Sequence, residues 1–137
     1  RHQFGALQHR VFPAYFLSSI TLSFGLLSAY VYKHPGVAAS LADPLDAEVA
    51  QAYTIGSVLL FQGVNWAVIG PLTSSIMFKR QKLEKEEGKV YTDPGVSEEM
   101  KALNRRFAAM HGYSSLANLV SFIALAFHGL WIGTYGL

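Results

Sequence analysis

The chain has 137 residues and a net charge of +2; 51% of its residues are hydrophobic and only 15% are charged. A soluble domain ordinarily carries about 25% charged residues, so this composition argues against a soluble enzyme, and we expect no enzymatic activity. The chain contains no cysteine, which excludes disulfide bonds, thiolate metal sites and cysteine nucleophiles. The length predicts one domain, which comprises residues 1–137.

Three long stretches contain no Asp, Glu, Lys or Arg: Val11–Tyr32, Val49–Phe78 and Phe107–Leu137. Each is longer than the roughly 20 apolar residues that a helix needs to cross a bilayer. A soluble bundle is the alternative, but soluble helices show a strongly polar face, which these stretches lack. We therefore predict an all-α, multi-pass transmembrane bundle of up-and-down topology, with Pro13 in the first helical turn. The predicted spans are residues 12–32, 50–70 and 113–134.

The charged residues are segregated between the two ends of the predicted spans. The first connection, Lys33–Glu48, is net acidic, whereas the second, Lys79–Arg106, contains most of the basic residues. With three crossings, Arg1 and Arg10 lie on the side of the second connection, which then holds every Lys and Arg except Lys33. Because cytoplasmic loops are enriched in Lys and Arg, this side is predicted to face the cytoplasm or an equivalent compartment. The first connection and the C-terminus are predicted to lie across the membrane.

The second connection is predicted to be largely helical, over about residues 79–106. Lys79–Lys89 mixes charges with good helix formers and continues the second span, and Gly88 ends that helix. A turn follows at residues 91–95, where Pro and Gly provide the required backbone angles. Ser97 is the predicted N-cap of a helix that runs on into the third span.

Three short motifs occur in order along nearly the whole chain. Their residues are Phe4-Gly5, Gln8, Phe12-Pro13 and Tyr15-Phe16; Asn65, Pro71, Lys85 and Glu87-Gly88; and His111-Gly112, Ser114-Ser115 and Asn118-Leu119. Together these motifs resemble the transmembrane protein 205 family of eukaryotes, a four-helix membrane domain of poorly defined function. The resemblance implies that the chain begins after the family's first helix and that the intact protein has four spans. Its N-terminus is then expected on the same side of the membrane as its C-terminus.

Polar amides interrupt the second and third spans. Gln62 and Asn65 lie three residues apart and therefore share one helix face. Such side chains usually face other helices and hydrogen bond there, so we predict that they and Asn118 join helices. The alternative is a solute path lined by amides, which predicts a water-accessible cavity around Gln62 and Asn65. Gly70-Pro71, near the end of the second span, is predicted to weaken or kink its helix.

Histidines are the candidate ligands for a cofactor. His111 and His128 are separated along one helix by about 25 Å at 1.5 Å per residue, so they cannot ligate the same ion. Each needs a partner on another segment: His9 or His2 for His111, and His34 for His128. Either pair is a candidate for a b-type haem or a copper ion. The alternative for His111 is that it is an interfacial residue whose ring is hydrogen bonded to a helix end.

Pairs of small residues four apart occur in the first and third spans. They are Gly25 and Ala29, Ala117 and Ser121, and Gly129 and Gly133. Small residues at this spacing allow helices in lipid to approach closely, so these pairs predict helix–helix packing. The strip of Gly129 and Gly133 faces either the bundle or a partner, and the sequence leaves both open.

We predict an integral membrane protein with a structural or accessory role, which packs through its helices against partner membrane subunits or against itself. Two alternatives from other classes stay open: a haem- or metal-binding redox protein with histidine ligands, and a small-solute transporter. The favoured interpretation needs no cofactor or metal. Its expected partners are membrane lipids and a membrane protein or second copy, and not nucleic acid, because acids nearly balance the basic block. Mitochondrial and endomembrane locations are both open.

Overall fold

The computed structural model describes residues 2–136, with side chains described from Gly5 onward. Within residues 2–136 there is no strand, and helices account for most of the chain. The helical elements are α1 His2–Lys33, α2 Gly36–Ala39, α3 Ala47–Val64, a π-helical segment Asn65–Ile69, α4 Gly70–Glu87 and α5 Glu98–Tyr135. Arg1, Leu137 and the side chains of His2 and Phe4, on which parts of the predictions rest, lie outside the described residues.

Three helices are long and apolar enough to cross a membrane. They are Gly5–Lys33, Ala47–Glu87 and Glu98–Tyr135. The second comprises α3, the π-helical segment and α4, which form one continuous helix. The prediction of an all-α bundle is confirmed. The fourth span implied by the resemblance stays a prediction.

The position of Pro13 differs from the prediction. α1 begins at His2, so Pro13 lies inside the helix rather than in its first turn. Proline removes one backbone donor, but the adjoining turns retain their own hydrogen bonds. Pro13 is also exposed, so its ring is not crowded by close packing. The residues before Pro13 are therefore helical as well, and α1 starts earlier than the sequence alone suggests.

The central element of the bundle is α3. α1 packs on one side of it and α5 on the other, while α4 packs on α5 and contacts α1. The buried residues of α3 and the following π-helical segment are Val49, Gln51, Ala52, Ile55, Val58, Gln62 and Asn65. At the end that contains the acidic connection, a compact apolar cluster forms from Tyr30, Val37, Val49, Ala52 and Ile55.

The connection between α4 and α5 is ordered by local hydrogen bonds and ring contacts. Gly88 ends α4 in the left-handed conformation at φ 64°, and Ser97 Oγ accepts a hydrogen bond from the Met100 N–H at 3.1 Å, both as predicted. The Arg80 guanidinium lies 4.1 Å from the centre of the Tyr91 ring and 4.4 Å from that of Phe107. These cation–π contacts hold the start of α5 against the end of α4.

Candidate functional site

Three polar pairs join α3 and the adjoining π-helical segment to α5. Gln51 Oε1 and His128 Nδ1 are 3.0 Å apart, and Gln62 Nε2 donates to Asn118 Oδ1 at 3.1 Å. Asn65 Nδ2 donates to the Ser114 backbone carbonyl at 3.2 Å. The partners run in opposite directions along the two helices, so the three pairs form an antiparallel seam through the bundle.

Each pair in this seam retains one atom without a hydrogen-bond partner among the described residues. These atoms are Gln62 Oε1, Asn65 Oδ1 and His128 Nε2. Their side chains are at most 2% exposed. Buried polar atoms are usually hydrogen bonded to protein or to ordered water. The seam therefore has hydrogen-bonding capacity beyond what the two helices use between them.

A second polar cluster surrounds Tyr30 at the acidic end. The Tyr30 ring stacks on His34 with centres 4.4 Å apart and meets His128 edge-on at 5.4 Å. The Tyr30 hydroxyl donates to the Glu48 backbone carbonyl at 3.2 Å, and His34 Nδ1 lies 3.1 Å from Glu48 Oε1. The structure thus brings His34 and His128 into contact with the same aromatic ring.

In the described part of the chain, no group of three or more His, Cys, Asp or Glu residues is placed to hold a metal ion. His128 and His34 each retain a buried Nε2 atom without a partner among the described residues. Sequence reasoning missed Tyr30, Glu48 and Gln51 as members of the cluster. The spacing of Tyr30 and His34, one helical turn apart, was the feature of the sequence that could have indicated this cluster.

A cavity of about 810 Å³ lies between α1, α4 and α5. Its apolar wall is largely aromatic, and its polar wall consists of neutral hydroxyl, amide and imidazole groups. The aromatic residues are Phe12, Phe16, Trp66, Phe78 and Phe107, and the polar ones are Gln8, His9, Thr73, Ser74, Ser75, His111, Ser114, Ser115 and Asn118. None of the described lining residues is Asp, Glu, Lys or Arg.

Both histidines that the sequence pairs at the basic end line this cavity. His9 Nδ1 lies 3.0 Å from Ser74 Oγ, and its ring meets Phe78 edge-on at 5.2 Å. The His111 ring stacks on Phe107 at 6.0 Å. Both histidine rings therefore have packing contacts within the bundle and line the same cavity. The residues of the predicted solute path, Gln62 and Asn65, lie behind the cavity wall.

Gly70 and Pro71, also in the cavity wall, follow the π-helical segment directly. The Gly70 N–H donates to the Asn65 carbonyl, five residues earlier. A Cβ atom at Gly70 would lie 2.8 Å from that carbonyl oxygen, closer than packed atoms allow. Pro71 has no N–H to contribute to a regular helix. The wide turn accommodates both residues, so the predicted weak point is a π-helical turn in a continuous helix.

The three pairs of small residues differ in whether they are buried or exposed. Ala117 and Ser121 are buried in the seam, and the Ser121 hydroxyl donates to the Ala117 carbonyl. By contrast, Gly25, Ala29, Gly129 and Gly133 are exposed, and a Cβ atom at any of the three glycines would meet open space. None of these four residues packs within the described bundle, so the helix packing that their spacing predicts stays a prediction about contacts with a partner or a second copy. The inward face of α5 at that level is occupied by the larger His128 side chain.

Residues 1–82 match the model of one protein family, described as a domain of unknown function (DUF4149). The matched segment contains α1, α3 and most of α4, and so includes two of the three helices that surround the cavity. No solved structure matches the chain.

Proposed function

The chain belongs to the DUF4149 family, whose function is unknown, and we propose that it is an integral membrane protein with a structural or accessory role. In this role it is not an enzyme, and it packs through its outer helix faces against a partner membrane subunit or a second copy of itself. The three apolar helices support the membrane location. Their outward glycines support the packing role.

The observation that carries the packing role is the exposed strip of Gly129 and Gly133. These residues lie one turn apart on α5, and no described residue of the chain covers either one. In lipid, helices associate through close van der Waals contact, for which small residues at this spacing are suited. Large apolar side chains flank the strip, including Leu130, which is 73% exposed. The strip therefore offers a second helix a shallow groove.

We also propose that the chain is related to the transmembrane protein 205 family. The three motifs that carry this resemblance are far apart in the sequence, yet residues from each of them line the same cavity. These residues are Gln8, Phe12, Pro13, Phe16, Pro71, His111, Ser114, Ser115 and Asn118. Their convergence supports reading the motifs as parts of one structural unit.

Replacing both Gly129 and Gly133 with isoleucine tests the packing role. Because the positions face open space and isoleucine has a higher helix propensity than glycine, we expect the isolated chain to be no less stable. The branched side chains would separate an apposed helix from α5, so association with a partner or second copy is expected to weaken by about tenfold or more. Co-purification and the concentration dependence of self-association in detergent measure this.

Ala109→Ile is the matched control, because Ala109 is exposed on α5 and, at about 100° per residue, lies on a different face of the helix from both glycines. It is expected to leave association unchanged. An unchanged complex in the double glycine variant would show that this strip faces lipid alone, and the packing role would lose its main support.

A second candidate function, binding or passage of a small solute, is favoured by the cavity beside the amide seam. The third, haem or metal redox chemistry, rests on His9 and His111, which border the same cavity. An absorption spectrum of the purified protein separates these two candidates, because bound haem gives a Soret band.

A further inference from the structure

We propose that the cavity between α1, α4 and α5 binds an uncharged amphiphile: a molecule with an apolar body and a hydroxyl or carbonyl group at one end. This inference deepens the solute-binding candidate and does not depend on the packing role. It names the chemical class of ligand that the described walls of the cavity recognise.

The size of the cavity suits a small molecule. Its volume of about 810 Å³ lies within the range of roughly 300–1,000 Å³ typical of sites for drug-sized ligands. The helices beside it are held by specific contacts, since His9 on α1 is hydrogen bonded to Ser74 on α4. A Cβ atom at Gly5 would lie 2.7 Å from Met77 Sδ, so α1 and α4 approach closely next to the cavity.

The apolar wall is suited to the body of such a molecule. Phe12 and Phe16 on α1 stack on each other with centres 6.0 Å apart, and aromatic rings from the second and third long helices complete the wall. Phe12 is 41% exposed and Trp66 is 45% exposed, so both retain free surface. An apolar ligand body would cover this surface through dispersion contacts.

The polar wall is suited to the ligand's hydrogen-bonding end. Asn118 lines the cavity and uses its Oδ1 to accept from Gln62, and its Nδ2 has no partner among the described residues. Ser114 and Ser115 lie beside it in the same wall. Behind these residues lie Gln62 Oε1 and Asn65 Oδ1, two buried acceptor atoms that receive no hydrogen bond from the described residues. A ligand hydroxyl or carbonyl oxygen at Asn118 accepts a hydrogen bond from the free amide N–H in the cavity wall.

The absence of charged side chains from the described walls indicates that the ligand is uncharged. A charged group placed at membrane depth without a charged partner is disfavoured. The two titratable groups in the wall, His9 and His111, are in contact with Ser74 and with aromatic rings, and no described acid lines the cavity. A neutral polar end meets suitable partners here, whereas an anionic or cationic end does not.

Two photoreactive probes that differ only in their polar end test the proposal. The full chain is purified into phosphatidylcholine nanodiscs and labelled with diazirine-bearing hexadecanol or the corresponding hexadecyl sulfate, and the labelled residues are mapped by mass spectrometry. We expect the alcohol to label the cavity-facing parts of residues 70–78 and 107–118 about tenfold more than the sulfate does. Even labelling of the outer helix faces, or equal labelling of the cavity by both probes, would overturn the proposal.

A filled cavity provides the second arm. Ser75 and Ser115 are exposed lining residues, and replacing both with phenylalanine is expected to reduce cavity labelling by the alcohol about tenfold. Ser18→Phe is the matched control, because Ser18 is exposed on α1 and lies outside the cavity. Undiminished labelling in the filled variant would contradict the proposal, and a Soret band would assign the cavity to haem. The packing role is tested at Gly129 and Gly133, so either proposal can fail alone.

Discussion

Replacing Tyr30 with alanine is expected to lower the free energy of unfolding by about 3 kcal/mol, the size of effect found when a large buried aromatic residue is truncated. The Tyr30 ring is 1% exposed and contacts both His34 and His128. Its removal leaves a cavity between α1, α3 and α5 and removes the hydrogen bond to the Glu48 carbonyl. Unfolding in mixed detergent micelles measures the change.

Tyr30→Phe separates the contribution of the ring from that of the hydroxyl. It retains both ring contacts and removes one hydrogen bond, so we expect a loss of only about 1 kcal/mol. If the alanine and phenylalanine variants were equally stable, the ring would not be the element that organises the acidic end of the bundle.

Replacing Gly70 with valine is expected to destabilise the protein by about 2 kcal/mol, through overpacking against the backbone. The Cβ atom would lie 2.8 Å from the Asn65 carbonyl oxygen, and backbone atoms cannot move aside as a flexible side chain does. We expect the wide turn at Asn65–Ile69 to shift and to disturb the bond from Asn65 to Ser114. The same unfolding assay measures the effect.

Gly63→Val is the control for this change. Gly63 lies in the same continuous helix, but a Cβ atom there meets nothing within 4 Å. Both variants introduce valine into a helical glycine position, so the difference between them isolates the close contact. A Gly70 variant as stable as the Gly63 variant would show that the π-helical turn relaxes without cost.

The long uncharged stretches allowed the helical class to be predicted, because a membrane core requires both length and apolarity. The capping of α5 by Ser97 was also predictable, since a serine before two acids forms a local hydrogen bond that does not depend on distant residues. That His9 and His111 line one cavity, and that His34 and His128 both contact Tyr30, agrees with the count of which span ends share a side; the ligand pairing itself stays a prediction.

The rotation of each helix about its axis was not predictable. A soluble helix reveals its buried face by its apolar residues, but a membrane helix is apolar all round, so Gly25 and Gly129 gave no sign of facing outward. The start of α1 was also predicted wrongly, because a proline such as Pro13 is compatible either with the first turn of a helix or with an exposed position further along it. The cavity arises from residues on three separate helices, and no local pattern specifies it.

The most direct test of the membrane account is accessibility from the two sides of a sealed vesicle. The chain has no cysteine, so single cysteines at the exposed positions Ala42 and Thr92 report without background. We predict that a membrane-impermeant maleimide labels Ala42→Cys from one side only and Thr92→Cys from the other only. Leu60→Cys, at a residue 63% exposed in the middle of the second long helix, should react only after detergent is added. Labelling of Ala42→Cys and Thr92→Cys from the same side, or of Leu60→Cys in intact vesicles, would contradict a three-span membrane bundle.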